Sequence, residues 1–314
     1  MNLSSRSEYS QNPPLIVIVG PTAVGKTALA LRLGRTLDVE VVSADSRQVY
    51  RGMDIGTAKP TPEERRLVPH HLIDVVDPDE PFGLAQYQTM AYAAIDDVLA
   101  RGRLPLLVGG SGQYVRAVVE GWGIPRVPPD RALRDELYRQ AETQGAEALH
   151  DRLRTLDPVA AERIDPRNVR RVVRALEVCL CTGERISDLQ HRRPPPYRIL
   201  QIGLTMPRPS LYRRIDERVD RMLAAGLVDE VQFLVARGYD YELPSMSGLG
   251  YRQIGAYLRG EVSLDEAVRL IKRETRRFVR QQYNWFRLDD ERIHWLDVEA
   301  NHLAEIETVV RAFA

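Results

Sequence analysis

Leu15-Ile16-Val17-Ile18-Val19-Gly20-Pro21-Thr22-Ala23-Val24-Gly25-Lys26-Thr27 decides the fold. The aliphatic run that opens it, rich in β-branched residues, marks a strand buried on both faces of a parallel sheet. Gly20 to Thr27 then satisfies G-x-x-x-x-G-K-[ST] at every position, and Ala28 to Leu37 continues in a helical pattern. Strand, glycine-rich loop and helix in that order are the setting that separates a P-loop from a chance match. The glycines let the backbone turn tightly, so that successive N–H groups face a phosphate, and the helix N-terminus adds partial positive charge. Lys26 supplies a point charge and Thr27 a hydroxyl suited to Mg²⁺. Gly20, Pro21, Thr22, Ala23, Val24, Gly25, Lys26 and Thr27 are therefore expected to bind a diphosphate or triphosphate. The motif alone does not say what the phosphates leave.

Outward from this point the pattern alternates. Glu40-Val41-Val42-Ser43 reads as a second strand ending at Asp45, and Pro60 to Pro81 as a loop-rich stretch. Leu84 to Arg101 is helical, and Leu104 to Val108 is a third strand stopped by Gly109-Gly110. Such alternation predicts an α/β fold, a P-loop NTPase-like parallel sheet core. From Pro125 to Arg193 the pattern is helical and arginine-rich, ending at Pro194-Pro195-Pro196. Ile199 to Thr205 returns to strand character. Helical patterns follow at 210–225, 227–236 and 264–287, then a short strand at Ile293 to Leu296 and a last helix. The expected organisation is a flexible tail over 1–13, a core with C-terminal helices over 14–124 and 199–314, and an inserted helical domain over 125–198.

The chain has 314 residues, with 44 Lys or Arg against 44 Asp or Glu, hence a formal net charge of +0. Hydrophobic residues make up 44%, which argues against global disorder. The longest aliphatic run, Leu15 to Val19, is far short of the roughly 20 apolar residues that span a bilayer. The first thirteen residues lack the apolar core of a signal peptide. A soluble cytoplasmic protein is expected, with no feature that demands an obligate partner, hence a monomer. Zero net charge weighs against a uniformly basic nucleic-acid binder. Only Lys26, Lys59 and Lys272 are lysines. Cys179 and Cys181 match no zinc spacing and read as small hydrophobes; His70-His71 lacks a third ligand and reads as packing.

No guanine-specifying Asn-Lys-x-Asp occurs. Ser43-Ala44-Asp45-Ser46-Arg47-Gln48-Val49-Tyr50 follows the second strand, and Gly109-Gly110-Ser111-Gly112-Gln113-Tyr114 the third. Ligands of such sheets bind at the carboxyl ends of strands. Asp45 is thus placed either to act on the reacting group or to support Mg²⁺, and Ser111 either to bind a phosphate or base or to cap a helix.

These segments resemble one family, the tRNA dimethylallyltransferases, also called tRNA isopentenyltransferases. The resemblance rests on Gly20 to Thr27, Asp45 to Tyr50, Gly52-Met53-Asp54-Ile55-Gly56-Thr57-Ala58-Lys59-Pro60, Pro69-His70-His71-Leu72-Ile73-Asp74 and Leu107 to Tyr114. Arg174-Ala175-Leu176-Glu177-Val178 and Trp285-Phe286-Arg287 continue it. It implies transfer of a dimethylallyl group from dimethylallyl diphosphate to N6 of adenosine 37 in tRNAs reading codons that begin with U. By this resemblance Asp45 is the base that takes the N6 proton, with Thr22, Lys26 and Ser111 beside it in the catalytic set; Ser111 stands where bacterial members usually carry Thr. Thr27 is implied as the Mg²⁺ contact, and Arg218 as a diphosphate ligand. The target base must be turned out of its loop, and Asp45, Ser46, Arg47, Gln48 and Ser111 are implied to line its pocket.

The basic residues are unevenly spread. Arg163 to Arg174 holds five arginines and the single acid Asp165, and Arg269 to Arg287 seven basic residues and the single acid Glu274. Acids gather instead at Asp289-Asp290-Glu291 and from Asp297 to Glu307, a segregation that suits phosphate-backbone contact. The resemblance implies tRNA contacts at Arg134, Arg170, Arg171, Arg174, Gly248, Gly250, Tyr251, Arg252, Arg280, Gln282, Trp285 and Arg287. The chain departs from the family at Gln281 and Asn284, where Arg and Thr are usual, at Leu249-Gly250-Tyr251 for Ile-Gly-Tyr, with Gly248 before it, and at Gln113 for Leu. The zinc finger of eukaryotic members is absent, which suggests the bacterial type. The competing expectations are an adenylate isopentenyltransferase acting on free AMP, ADP or ATP, a small-molecule P-loop kinase, and a tRNA-binding module with a vestigial P-loop.

Overall fold

The computed structural model describes residues 12–300 and 303–314; apart from Asn12 and Pro13, the expected tail lies outside them. Its centre is a six-stranded sheet built from Pro14–Val19 (β1), Val39–Ser43 (β2), His70–His71 (β3), Leu104–Val108 (β4), Arg198–Thr205 (β5) and Ile293–Asp297 (β6). The order is β3-β2-β4-β1-β5-β6, and every pairing is parallel.

Side chains alternate across a strand, so one buried strand must feed two cores. Ile16 and Ile18 of β1 pack with Leu29, Ala30 and Leu33 of the helix Lys26–Leu33. Leu15, Val17 and Val19 pack on the opposite face with Tyr87, Ala91 and Ile95 of the helix Leu84–Ala100. All five are fully buried, which is why this run carries no polar residue. A third apolar cluster gathers the helices Leu227–Ala236, Tyr251–Leu258 and Leu264–Trp285 around Val49, Met53, Leu234 and Ile271.

Three elements below differ from the sequence reading. The stretch from Pro60 to Pro81 contains the helix Pro62–Leu67 and the edge strand β3. Thr61 starts that helix with a capping box: its hydroxyl accepts from the Glu64 N–H at 3.2 Å, and its own N–H donates to the Glu64 carboxylate at 2.8 Å. Pro62 sits in the first turn, where its missing N–H costs nothing. The helix Tyr251–Leu258, which begins directly after the Gly248-Leu249-Gly250 stretch, was also not foreseen.

Two compact units divide the chain. The sheet and its helices form the first, from the chain up to Val119 and from Pro196–Ala314. The second, Glu120–Pro195, is wholly helical apart from loops, with the helices Arg131–Gln144, Ala146–Leu156, Pro158–Arg163, Val169–Thr182 and Ile186–Leu189. Leu137, Leu153, Val172 and Leu176 make its own core.

Candidate active site

The P-loop joins β1 to its helix at the carboxyl edge of the sheet. Gly20 has φ 144°, and a Cβ there would stand 2.5 Å from the Leu204 carbonyl oxygen, so the loop can pass β5 only without a side chain. Lys26 donates from Nζ to the carbonyls of Gly20 at 3.0 Å and Pro21 at 2.8 Å, folding back over the loop. Burial pushes its ammonium down to about 8; Asp45 opposes the shift and Arg218 adds to it. Burial also lowers Arg218, again against the pull of Asp45.

The loop opens on a cleft of about 280 Å³. Thr22, Lys26, Thr27, Asp45 and Gln48 line it, with Arg214, Arg218 and Arg221 of the helix Arg208–Ala224. Four cationic side chains thus face one carboxylate. Arg214 is fixed by donating to the Val24 carbonyl at 3.2 Å. Arg214 and Arg221 were not foreseen; their signal was positional, because residues three and four apart from Arg218 share one helix face.

Asp45 follows β2, and its carboxylate accepts the Arg47 N–H at 2.9 Å, which tightens the turn. Ser111 reaches across from the end of β4: its hydroxyl accepts the Ser46 N–H at 3.0 Å and lies 3.2 Å from the Ser46 hydroxyl. Gln48 accepts from the Ser43 hydroxyl at 3.1 Å and donates to the carbonyls of Thr57 and Ala58 at 3.4 and 3.3 Å. Arg47 donates to the carbonyls of Pro244 and Ser245 at 2.7 and 3.2 Å. Asp45 and Gln48 therefore stand at the cleft beside the phosphate cradle, with Ser46 and Arg47 held between them.

Several residues expected to contact tRNA are buried or engaged within the fold. Gln282 is buried; its carbonyl accepts the Thr22 N–H at 2.9 Å and its amide donates to the Gly110 carbonyl at 3.1 Å, so it ties the P-loop to the end of β4. Tyr251 is buried too, its hydroxyl donating to Glu230 at 2.6 Å. Gly248 and Gly250 are buried, and the Gly250 N–H donates to Gln253 at 2.9 Å. Trp285 is half-buried, with its carbonyl accepting from Arg116 at 2.6 Å. In the helical unit, Arg134 and Arg174 both donate to the fully buried Glu177, at 2.8 and 2.5 Å. Burial opposes its ionisation, but these two guanidinium groups hold the Glu177 carboxyl below its usual range. Arg170, Arg171, Arg252, Arg280 and Arg287 are exposed; Arg252 pairs with Glu274 and Arg287 with Asp289.

Other charged groups are structural. His71 meets Glu40 at 2.6 Å, where Arg101 and Arg103 also converge, and the His70 ring lies 2.7 Å from the Val68 carbonyl. Among the described residues no group of three His, Cys, Asp or Glu is arranged to hold a metal ion. No helix of the described residues is long and apolar enough to cross a membrane.

Comparison with known proteins places this geometry. Residues 48–289 match the family model described as IPP transferase, and residues 13–72 match that of isopentenyl transferase. The chain is 63% identical over 274 residues to a tRNA dimethylallyltransferase of Roseiflexus castenholzii, covering 87% of this chain and 90% of the relative. It is 55% identical to the enzyme of that name from Thermomicrobium roseum, over 92% of this chain and 88% of the relative. A tRNA isopentenylpyrophosphate transferase of Bacillus halodurans superposes with a TM-score of 0.70 at 44% identity, covering 95% and 96% of the two chains. A eukaryotic dimethylallyltransferase, solved acting on tRNA, superposes at 0.78 with 26% identity, over 96% of this chain and 78% of that one.

Proposed function

The chain belongs to the IPP transferase family of tRNA dimethylallyltransferases, and from that premise we propose how its cleft prenylates tRNA. The activity is that of a prenyltransferase acting on tRNA. Its donor is dimethylallyl diphosphate and its acceptor the N6 of adenosine 37 beside the anticodon, in tRNAs reading codons that begin with U. The observation that carries this reading is the charge of the cleft: Lys26, Arg214, Arg218 and Arg221 converge on the P-loop with Asp45 as the sole acid among the lining residues. A cradle of that sign suits a leaving diphosphate.

The steps follow from the residues. The P-loop N–H groups, Lys26 and the three arginines hold the diphosphate and stabilise the charge that develops as the allylic C–O bond breaks. Adenine N6 is a weak nucleophile because its lone pair is delocalised into the ring. Its attack on the allylic carbon forms the new C–N bond, the C–O electrons leave with the diphosphate, and the N6 proton passes to the Asp45 carboxylate. Gln48, Ser46 and Ser111 form the wall of the base pocket beside Asp45, with the target base turned out of its stack. Thr27, the closing hydroxyl of the P-loop pattern and part of the cleft lining, would hold Mg²⁺. When bound, the ion supplies further neutralisation of the diphosphate oxygens.

Labelled dimethylallyl diphosphate should label an anticodon stem-loop carrying A36-A37-A38 and leave free AMP unlabelled. Labelling of AMP alone would establish the adenylate reading instead. Asp45→Asn should lower kcat by about 10²- to 10⁴-fold while leaving stem-loop affinity nearly intact. Unchanged turnover would remove Asp45 as the base.

A further inference from the structure

Glu230 lies on the helix Leu227–Ala236, away from the cleft lining, yet its carboxylate is saturated by donors from a different part of the chain. It accepts the consecutive backbone N–H groups of Asp54 at 2.9 Å, Ile55 at 2.7 Å and Gly56 at 3.0 Å. The Tyr251 hydroxyl donates a fourth bond at 2.6 Å. An ionised carboxylate has about four acceptor sites, so these donors fill it. Three successive N–H groups aimed at one anion form a backbone nest. Here the anion belongs to the protein itself, and its position is set by a helix. Gly56 is required by the same arrangement, since a Cβ there would meet the Tyr251 ring at 2.5 Å.

The segment held in this way leads directly to the cleft. Its turn is closed by the Ala58 N–H donating to the Ile55 carbonyl and the Lys59 N–H donating to the Asp54 carbonyl, both at 3.0 Å. Ala58 has φ 48°, a left-handed conformation that a residue with a Cβ keeps only when its surroundings enforce it. Ala58 lines the cleft, and the carbonyls of Thr57 and Ala58 receive the Gln48 amide. Those two carbonyls fix which end of the Gln48 side chain faces away from the Ser43 hydroxyl, and hence how Gln48 stands beside Asp45.

We propose that Glu230 is a positioning residue for the acceptor pocket: by anchoring the Asp54–Gly56 turn it places the carbonyls of Thr57 and Ala58, which orient Gln48 toward the flipped base. The proposal rests on the reading of Gln48 as part of the base pocket. Lys59 supports the same turn from its other side, through Asp54 at 2.7 Å, Asp74 at 2.6 Å and the Tyr50 carbonyl at 2.6 Å. It secures the end of the turn, whereas Glu230 secures its start.

The test is a double-variant cycle read separately for the two substrates. Glu230→Gln replaces an acceptor oxygen with an amide that presents hydrogens to N–H donors. It should lower kcat/KM for the anticodon stem-loop about tenfold to hundredfold, the loss expected from a small displacement of a positioned group. KM for dimethylallyl diphosphate should stay within twofold of the parent. In a Gln48→Ala background, Glu230→Gln should cost no more than twofold further, because the group it positions is gone. Tyr251→Phe removes one of the four bonds and should move the same parameter by less, which keeps the test informative where Glu230→Gln folds poorly. Equal loss for both substrates, or full additivity with Gln48→Ala, would overturn the positioning role. A Gln48→Ala enzyme with parental stem-loop kinetics would instead remove Gln48 from the base pocket.

Discussion

At the scale of single residues, Lys26 shows how placement changes chemistry. A free lysine is cationic throughout the physiological range, but burial in the P-loop brings this one down to about 8. Below that value it is charged and can meet a diphosphate; above it the free enzyme loses the charge that its substrate seeks. The kcat/KM for dimethylallyl diphosphate should therefore be level below pH 8 and fall about tenfold per unit above it. The bound diphosphate stabilises the ammonium, so kcat should hold to higher pH than kcat/KM. Lys26→Arg keeps a charge at all accessible pH, and its profile should lose the alkaline limb even if its rate is lower. A limb that survives in Lys26→Arg would assign the titration to another group. The scarcity of lysine made Lys26 conspicuous in the sequence, since arginine supplies nearly all other positive charge. Its depressed pKa was not legible there, because it is set first by burial and then by Asp45, which opposes the shift, and Arg218, which adds to it, residues that only the fold brings to it.

At the scale of elements, the legible parts were those whose reasons are local. Leu15 to Val19 declares a doubly buried strand by composition, and the P-loop declares its turn by glycine spacing. Thr61, Pro62 and Glu64 carry a helix-start signal as well, but the surrounding prolines read as loop. What no local pattern could give is a bond such as that between Gln282 and Thr22, partners 260 positions apart. The family resemblance implies a tRNA contact at Gln282, and in the fold its side chain bridges the P-loop and the end of β4. The helix Leu264–Trp285 thereby becomes a brace for the phosphate cradle as well as a carrier of exposed arginines. Gln282→Leu would leave the Gly110 carbonyl unpaired in a buried setting and strip the partly buried Thr22 N–H of its partner. The buried carbonyl alone costs about 1–3 kcal/mol. The variant should melt several degrees lower and show a raised KM for the donor, read by thermal denaturation and by donor titration. A parental melting temperature would mean that these two groups find other partners.

At the scale of the molecule, 44 basic residues against 44 acidic ones describe no particular surface. In the cleft the balance is four cations to one acid, while elsewhere acids and arginines neutralise one another in pairs. The acids after Arg287 are part of this: Asp289 pairs with Arg287 and Asp290 with Arg292, each at 2.7 Å. Arg134 and Arg174 are likewise committed to Glu177, inside the helical unit. Of the exposed arginines implied at the tRNA, Arg252 and Arg287 are paired with Glu274 and Asp289, which leaves Arg170 and Arg171 in the helical unit and Arg280 in the core unit as the candidates for phosphate contact. Each phosphate contact on a single-stranded or looped RNA contributes about 0.7 to the slope of log affinity against log salt. Arg171→Ala and Arg280→Ala should each weaken tRNA binding uniformly across sequences and flatten that slope by about this amount, and the double variant should lose the sum. Arg287→Ala should do less, because an exposed ion pair, worth about 1 kcal/mol at most, already occupies that guanidinium and must be exchanged for the phosphate. Arg134→Ala should act differently again: it strips a partner from a buried carboxylate, so the helical unit should melt lower while the salt slope of the remaining binding is unchanged. Titration of tRNA across a salt series, with a melting curve for each variant, separates the contacting arginines from the supporting one. A salt slope that Arg171→Ala and Arg280→Ala leave untouched would place the tRNA backbone on other residues.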